Sequence, residues 1–417
     1  MRQVSNKQTV LLLRQAIKCV DRLLMDHGSR TAYILYKMLQ ADGNYEMYEM
    51  ADYSIFATFH DIGAYRTEEL EDMMKFETKS YMPHSVYGYI MMRELSPFSE
   101  EAKILLYHHV NCDQYKKINY HLKNIASYIY LADRLDIYYL ALGVEFDIHT
   151  LRQYEGTRYT KEALDLLEKA GENANILKNL QEESYQKELD ELLDYLVINN
   201  EDEKKYIQLM MYCLGFANPR YSMETAMCIM ICDEIAQRMH VTLEQREKLK
   251  YAALIHDMGM ILLPQEIIDA PRKLTKSEML QMDSHTVIID KQLRKILSDE
   301  IVDIAMSHHE RGNGSGYPKH LKMQDMNLSQ SILQVADMVT ALSSKRSYRP
   351  AKDEKEIEKL LLENVENKGF SGEVVRVFTR NSKDILKKVH DLEHYLWQKH
   401  DAIEENYDEL HSKYVEK

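Results

Sequence analysis

Apolar residues along this 417-residue chain recur at steps of three and four, which is the spacing of one face of an α-helix. The pattern is clear in residues 10–25, where the sequence reads VLLLRQAIKCVDRLLM. Residues 160–206 repeat it with leucines set among Glu, Lys and Asn, which predicts exposed amphipathic helices. It returns in the charged segment 384–417. We therefore predict an all-α protein.

The composition supports helices and narrows the classes of function. With 14 glycines and 7 prolines, the chain has too few turn residues for a β-sandwich or barrel. A hydrophobic content of 45% with 29% charged residues is typical of a globular protein. The net charge of −14 argues against binding to a nucleic-acid polymer or an anionic membrane, since both attract basic surfaces. A small anionic substrate would need bound cations or local arginines.

The five cysteines form no C-x-x-C pair and no zinc-finger spacing. Their odd number suits a reducing compartment. The N-terminal apolar run is too short for a signal peptide, and no uncharged stretch approaches the length of a membrane-spanning helix. We expect a cytoplasmic protein without a membrane partner.

Four short motifs recur in the same order in the two halves of the chain. They are a His-Asp tetrad (HDIG and HDMG), a single histidine, a double histidine and an Ala-Asp pair, and the two copies lie about 200 residues apart. The paired positions are His60 and His256, His84 and His285, His108 and His308, and Asp133 and Asp337. Helical composition alone does not produce such an order, so we interpret the chain as a tandem duplication of one helical module.

The repeat also predicts the domain boundaries. We expect an N-terminal module over residues 1–150, a helical connector over 151–210, a second module over 211–355 and C-terminal helices over 356–417. The connector is expected to form solvated linker helices. A homodimer through the connector or the tail helices is one expectation for assembly.

The repeated residues are those that bind first-row divalent metals, with more nitrogen than calcium or magnesium sites use. In the first copy they are His27, His60, Asp61, His84, His108, His109 and Asp133. An adjacent His-Asp can place one carboxylate between two cations. Two ions about 3.5–4 Å apart suit in-line displacement at phosphorus. A lone histidine is more often a hydrogen-bonded or surface residue, but the ordered set, found twice, favours metal centres.

This pattern resembles the HD-domain metal-dependent phosphohydrolases, which are named for the His-Asp pair. The second copy resembles the HD-GYP subfamily, because HHERGNGSGYP follows its double histidine at 308–318. The resemblance covers about residues 20–145 for the generic module and about 215–350 for the HD-GYP module. It implies an all-α enzyme of bacterial signalling that hydrolyses cyclic dinucleotides, chiefly cyclic di-GMP. It also implies two or three divalent ions per site, with iron or manganese favoured and magnesium, nickel or zinc as alternatives.

In the second module the resemblance implies a less complete ligand set. The matching ligands are His256, Asp257, His285, His308, His309 and Asp337. Glu224 stands where the family has an earlier histidine, and a glutamate can also bind a metal. Met260 replaces the lysine that follows the tetrad, and Asn313 replaces an aspartate before the G-x-G-Y-P loop.

The substrate side of the second module matches the family better. The resemblance assigns substrate contacts to Asn313, Gly314, Gly316, Tyr317, Arg346 and Arg349. Glycine permits close approach to a ligand, and the planar fork of arginine suits phosphate. Arg272 lies in the loop that corresponds to the family's connecting loop. An ordinary solvated surface charge is an equally good interpretation of this residue.

The first module shows the reverse asymmetry. Its seven ligand positions are all filled, but no G-Y-P loop follows its double histidine, and Ala64 takes the lysine position. Leu142 and Glu145 stand where the second module has Arg346 and Arg349.

Three hypotheses follow, and the first leads. The chain is predicted to be a phosphodiesterase that hydrolyses a cyclic dinucleotide by metal-activated water, with Asp257 of the second module essential. Alternatively, Asp61 and the first module act on another nucleotide or phosphoester, and the second module is regulatory. In the third, the protein is a non-catalytic cyclic-dinucleotide receptor or scaffold.

Overall fold

Regular secondary structure in this protein is helical. The computed structural model describes residues 2–67, 82–217, 219–344 and 350–414. Within those residues it contains helices and two isolated bridges, Glu155 to Tyr159 and Asn313 to Lys322, and no strand. The predicted all-α class is confirmed.

The chain divides into two compact units, and each holds one copy of the repeated motifs. The first unit comprises Asp21–Leu209 and Asp401–Lys417. The second unit comprises Met1–Val20 and Met210–His400.

The unit boundaries fall at other residues than those of the predicted modules. The first twenty residues belong with the second unit, the predicted connector lies within the first except for Met210, and the predicted tail divides after His400. Helical periodicity shows that a segment has a buried face, but it does not show which core covers that face.

The first unit is built around one long buried helix. Its helices are α2 (Arg22–Asp42), α3 (Met47–Thr58), α4 (Ala64–Thr67), α5 (Met82–Leu95), α6 (Lys103–Tyr107), α7 (Cys112–Tyr115), α8 (Lys123–Leu142), the 3-10 helix η1 (Ile148–Tyr154), α9 (Lys161–Asn173), α10 (Ile176–Gln181), α11 (Tyr185–Leu192) and η2 (Leu193–Tyr195). The side chain of Asp21 accepts a hydrogen bond from the Leu24 amide and begins α2, and Gly43, with φ +80°, ends it. Helix α2 is buried on most of its surface and packs against α3, α8, α9 and α11. Two of these, α9 and α11, come from the segment predicted as a solvated connector.

The second unit has a similar helical core. Its helices are α1 (Asn6–Val20), α13 (Pro219–Arg238), α14 (Leu243–Ile255), η3 (Met258–Leu262), α15 (Gln265–Ile268), α16 (Lys276–Ser284), α17 (Asp290–Leu293), α18 (Asp299–Met306), η4 (Met323–Asp325), α19 (Leu328–Ser343), α20 (Glu354–Glu366) and α21 (Gly372–Thr379). Helix α13 packs against α14 and α19, and α1 packs against η3. The boundaries between the units lie within α12 (Asn200–Ala217) and α22 (Ser382–Tyr414).

Two expectations about the chain's environment can be compared with the fold. Among the described residues, none of the helices combines the length and apolarity needed to cross a bilayer. All five cysteines are buried and unbonded to one another, as expected of core thiols.

Candidate metal centres

Several of the histidines predicted as metal ligands lie at the carboxyl ends of helices, where the last carbonyl groups lack a partner within the helix. In each of them Nδ1 is within hydrogen-bond distance of the carbonyl oxygen three residues earlier. These residues are His60 (2.8 Å), His108 (2.5 Å), His256 (2.8 Å), His285 (2.5 Å) and His308 (2.7 Å). A carbonyl can only accept, so Nδ1 carries the proton of the neutral ring and Nε2 is the nitrogen left for a metal. The helix ends thus prepare these rings to bind a metal.

The glycine of each His-Asp tetrad brings a further cluster histidine close. A Cβ at Gly63 would lie 2.1 Å from the carbonyl oxygen of His84. A Cβ at Gly259 would lie equally close to the carbonyl oxygen of His285. The sequence patterns assigned these glycines no role. The glycine does recur in both tetrads, HDIG and HDMG, and that repetition could have pointed to it.

The structure brings all seven predicted ligands of the first module together. Their ligand atoms form two groups, each within 4.8 Å: Asp61, His84, His108 and His109 in one, and His27, His60 and Asp133 in the other. Oδ1 of Asp61 lies 3.4 Å from Nε2 of both His84 and His108. Its Oδ2 lies 3.1 Å from Nε2 of His60. One carboxylate therefore faces both groups, as a bridging ligand between two ions would.

The second unit repeats this arrangement. Its two groups are Asp257, His285, His308 and His309, and His256, Asp257 and Asp337. Oδ1 of Asp257 lies 3.5 Å from Nε2 of His285 and 3.4 Å from Nε2 of His308. Its Oδ2 lies 3.3 Å from Nε2 of His256. Asp257 thus faces both groups of its unit, as Asp61 does in the first unit.

The donor geometry of the second unit fits a cation. Nε2 of His285 and Nε2 of His308 lie 3.1 Å apart, while both Nδ1 atoms face carbonyl oxygens. Burial lowers the pKa of His308 to about 4, so its ring is neutral at pH 7. Two nitrogen ligands about 2.1 Å from one ion and at a right angle are about 3.0 Å apart. The facing nitrogens are therefore spaced as adjacent ligands of a transition-metal ion. Both clusters are consistent with the metal ions of HD domains.

Glu224 is the predicted ligand that the structure does not place within either group of the second unit. Its Oε1 lies 3.9 Å from Nε of Arg220. It remains close enough to act on Asp337: burial, together with the charges of Asp257 and Glu224, raises the pKa of that carboxyl to about 7.

The corresponding carboxylate of the first unit is compensated differently. Arg134 donates from Nε to Oδ2 of Asp133 at 2.9 Å and from Nη2 to Oδ1 at 3.1 Å. Burial favours the neutral form of Asp133, but the Arg134 guanidinium and the hydrogen bond to His27 outweigh burial and lower its pKa to about 2. For His27 burial lowers the pKa, whereas hydrogen bonds to Asp133 and Asp136 raise it to about 10. The negative charges of Asp133 and Asp136, which favour a proton on His27, also favour a metal cation at this place.

The two clusters differ most in solvent access. In the first unit the side chains of Asp61 and Asp133 are 4% and 0% exposed. In the second, those of Asp257 and Asp337 are 24% and 16% exposed, and that of His309 is 25% exposed. The first cluster is closed, and the second has a face open to a ligand.

The loop after the second double histidine is held by a buried glutamate that the sequence analysis did not single out. Oε1 of Glu310 accepts from the Lys319 amide at 2.5 Å, and Oε2 accepts from the Leu321 amide at 2.8 Å. A Cβ at Gly316 would lie 2.3 Å from the Arg311 nitrogen, so only glycine fits there. The chain folds back tightly on residues 310–311.

The predicted substrate residues fall in different places. The Tyr317 ring lies against His309, with 4.9 Å between ring centroids. Asn313 instead stabilises the loop, since its Oδ1 accepts from the Ser315 amide at 3.0 Å. Gly314 adopts φ +82° and supplies the turn.

The predicted arginines have different outcomes. Arg272 is exposed and donates two hydrogen bonds to Glu278. It is therefore a surface charge, which was the alternative interpretation of this residue. Arg346 and Arg349 lie outside the described residues.

Comparison with known proteins agrees with this chemistry. Residues 208–369 match the family model described as "HD domain". The 3'3'-cGAMP-specific phosphodiesterase 1 of Vibrio cholerae is 27% identical over 413 residues, which cover 89% of this chain and 92% of the relative. A cyclic di-GMP phosphodiesterase of Thermotoga maritima is 35% identical over 154 residues, 36% of this chain and 42% of the relative.

A solved structure shares the fold. The crystal structure of the cyclic GMP-AMP-specific phosphodiesterase V-cGAP3 of V. cholerae aligns with a TM-score of 0.61 at 15% identity, over 92% of this chain and 98% of that chain. This likeness shows the shared helical fold. The family match, together with the Asp257 cluster that it contains, identifies residues 208–369 as an HD domain related to those of the HD-GYP phosphodiesterases.

Proposed function

We propose that the second unit hydrolyses a phosphodiester bond of a cyclic dinucleotide, 3'3'-cGAMP or cyclic di-GMP. The observation that carries the proposal is the open face of the Asp257 cluster within the HD domain at residues 208–369. Catalytic metal sites keep a position for solvent or substrate, whereas structural sites are closed. The substrates named for the V. cholerae and T. maritima relatives support this substrate class.

The cofactors are proposed to be two or three divalent metal ions, with the transition metals iron or manganese in the first place and magnesium, nickel or zinc as alternatives. Imidazole nitrogens and carboxylate oxygens form a donor set that several such ions accept, so availability selects among them. When bound, the ions would supply an activated water and offset the charge of the phosphate.

The chain's own residues hold and orient these components. His256, Asp257 and Asp337 would hold one ion, and Asp257, His285, His308 and His309 would hold another, so Asp257 belongs to both ligand groups. Tyr317, packed on His309, borders the open face and is proposed to contact the nucleotide. The proposed phosphate contacts of Arg346 and Arg349 rest on the sequence alone.

The test is hydrolysis of 3'3'-cGAMP and cyclic di-GMP by the full chain loaded with Mn²⁺ or Fe²⁺, with products separated by liquid chromatography. We expect Asp257→Ala to abolish turnover and Asp61→Ala to retain it. The matched control is Asp233→Asn, which changes an aspartate of α13 that belongs to neither cluster.

The opposite pattern would favour the second candidate, catalysis in the first unit. That candidate has support in the complete ligand set around Asp61, although the closed cluster leaves little room for a phosphate. If the protein binds a cyclic dinucleotide tightly and turns over neither substrate with any of the five metals, it is a receptor.

A further inference from the structure

Asp136 of α8 is a fully buried carboxylate that lies behind His27 and belongs to neither ligand group of the first unit. Nδ1 of His27 donates to Oδ2 of Asp136 at 2.7 Å. Arg30 donates from Nε to Oδ1 at 2.6 Å and from Nη2 to Oδ2 at 2.9 Å. Asp136 thus accepts three hydrogen bonds, all from side chains of α2.

His27 needs a partner of this kind because of its place in the helix. Five of the histidines described above, His60, His108, His256, His285 and His308, lie at helix ends, where a free carbonyl oxygen can accept the Nδ1 proton. His27 lies in the interior of α2, where the carbonyl groups are used by the helix itself. A side chain from another helix must therefore accept its proton. Asp136 does so, which leaves Nε2 facing Asp133 at 3.3 Å and Asp61 at 3.7 Å.

Arg30 offsets the free-energy cost of burying the charged Asp136 carboxylate. An isolated buried charge is costly unless it is paired and hydrogen-bonded. Arg30 follows His27 by three residues on the same face of α2 and compensates Asp136 with two parallel bonds.

In the second unit all three members of this set are replaced. By the spacing of the repeat, the counterparts of His27, Arg30 and Asp136 are Glu224, Met227 and Thr340. A glutamate has no ring proton to donate, and a carboxylate behind it would add repulsion. An arginine would then have nothing to neutralise. Because all three are replaced together, we infer that His27, Arg30 and Asp136 serve one common role.

We propose that Asp136, held by Arg30, is a positioning residue that fixes His27 as a metal ligand and makes the first cluster the tighter of the two metal sites. The inference depends on the metal assignment of the first unit and not on the substrate proposed for the second. Failure of either one leaves the other standing.

The experiment measures metal affinity by competition with a chelator, in full-length protein carrying Asp257→Ala so that the first cluster dominates the signal. We expect Asp136→Asn to weaken Mn²⁺ binding by about 10-fold to 100-fold, the range seen when partners of metal-binding histidines are removed. Arg30→Gln, which keeps the bond between Asp136 and His27, should cause a smaller loss. The visible spectrum of bound Co²⁺ should change in Asp136→Asn, because the ligand set changes.

The control is Asp233→Asn, which leaves Arg246 without the carboxylate that it binds in the second unit. It should bind Mn²⁺ as the parent does. A merely structural role for Asp136 would lower the melting temperature of the metal-free protein and leave the Mn²⁺ affinity unchanged, and that result would overturn the proposal. If Asp136→Asn does not fold, Arg30→Gln decides, and an unchanged affinity in that variant also overturns it.

Discussion

Single residues decide what each cluster can bind, and the sequence showed only some of them. The ligands themselves were predictable, because metal binding requires histidine and aspartate in an order that the chain repeats. The residues that orient them were not. Asp136 and Arg30 meet across 106 residues of the chain, and Glu310 binds amides nine and eleven residues further on. Neither kind of contact leaves a pattern in the sequence.

Asp52 offers a test of buried charge away from both clusters. Burial and the nearby charges of Glu101 and Glu49 raise its pKa to about 7, from an ordinary value of 3.8. Between these pH values the folded protein holds a proton that the unfolded chain releases, so this residue lowers stability as pH rises from 4 to 7. Asp52→Asn should therefore melt at a higher temperature than the parent at pH 8, by about 2–4 °C for each kcal/mol gained.

The measurement is a series of thermal melts of metal-free protein from pH 4 to pH 8. The advantage of Asp52→Asn should disappear near pH 4. Asp165→Asn, at an exposed position of α9, serves as the control and should show no such gain. A gain that does not depend on pH would rule out the assigned charge effect.

Gly259 tests the close approach of the tetrad to His285. The Cβ of an alanine there would overlap the His285 carbonyl oxygen at 2.1 Å and approach Ile288 Cγ2 at 2.9 Å, so His285 must move. We expect Gly259→Ala to lower the metal affinity of the second cluster by at least about tenfold, the lower end of the range for disturbed ligand support. Metal content after gel filtration would show it. Gly372→Ala, whose Cβ would meet Val365 Cγ1 at 3.3 Å, is the control and should keep its metal.

At the scale of elements, periodicity predicted which segments are helical and that each has a buried face. It did not predict the conformation of the loop beside the second metal centre. The G-x-G-Y-P segment has the composition of an ordinary surface turn. Its fold depends on the buried Glu310 and on the absence of a side chain at Gly316. Neither requirement can be read from spacing.

Glu310→Gln should loosen that loop. A glutamine oxygen can replace one carboxylate acceptor, but its amide nitrogen would face a backbone amide that also donates. We expect a loss of about 1.5–3 kcal/mol, the usual value of a hydrogen bond to a charged group. Chemical denaturation would measure it, and limited proteolysis should show earlier cleavage within residues 312–322. Glu363→Gln, which removes an exposed partner of Lys359, should change neither result.

For the whole molecule, the repeat predicted two metal centres but not the assignment of the terminal segments to the two units. Net charge was informative in a limited way. The total of −14 includes the carboxylates of both clusters, and bound cations would reverse the local field at these points.

Removal of metal should destabilise the protein in two separable steps. A ligand that binds only the folded state stabilises it in proportion to the logarithm of its concentration over its dissociation constant. Titration of chelated protein with Mn²⁺ should therefore raise the melting temperature, with Asp61→Ala and Asp257→Ala each removing a different part of the rise. If either variant removed the whole rise, a single metal site would account for the stabilisation.

The assignment of α1 to the second unit has a consequence for how the protein is made. Residues of α1 are synthesised before the whole of the first unit, yet their buried side chains, among them Leu12, Leu13 and Ile17, pack in a unit that extends to His400. The first unit likewise includes Asp401–Lys417, which is synthesised after the second unit. Domains usually fold in order as they emerge. Here neither unit can be completed before translation has passed His400, and the apolar face of α1 must stay uncovered while the first unit is synthesised.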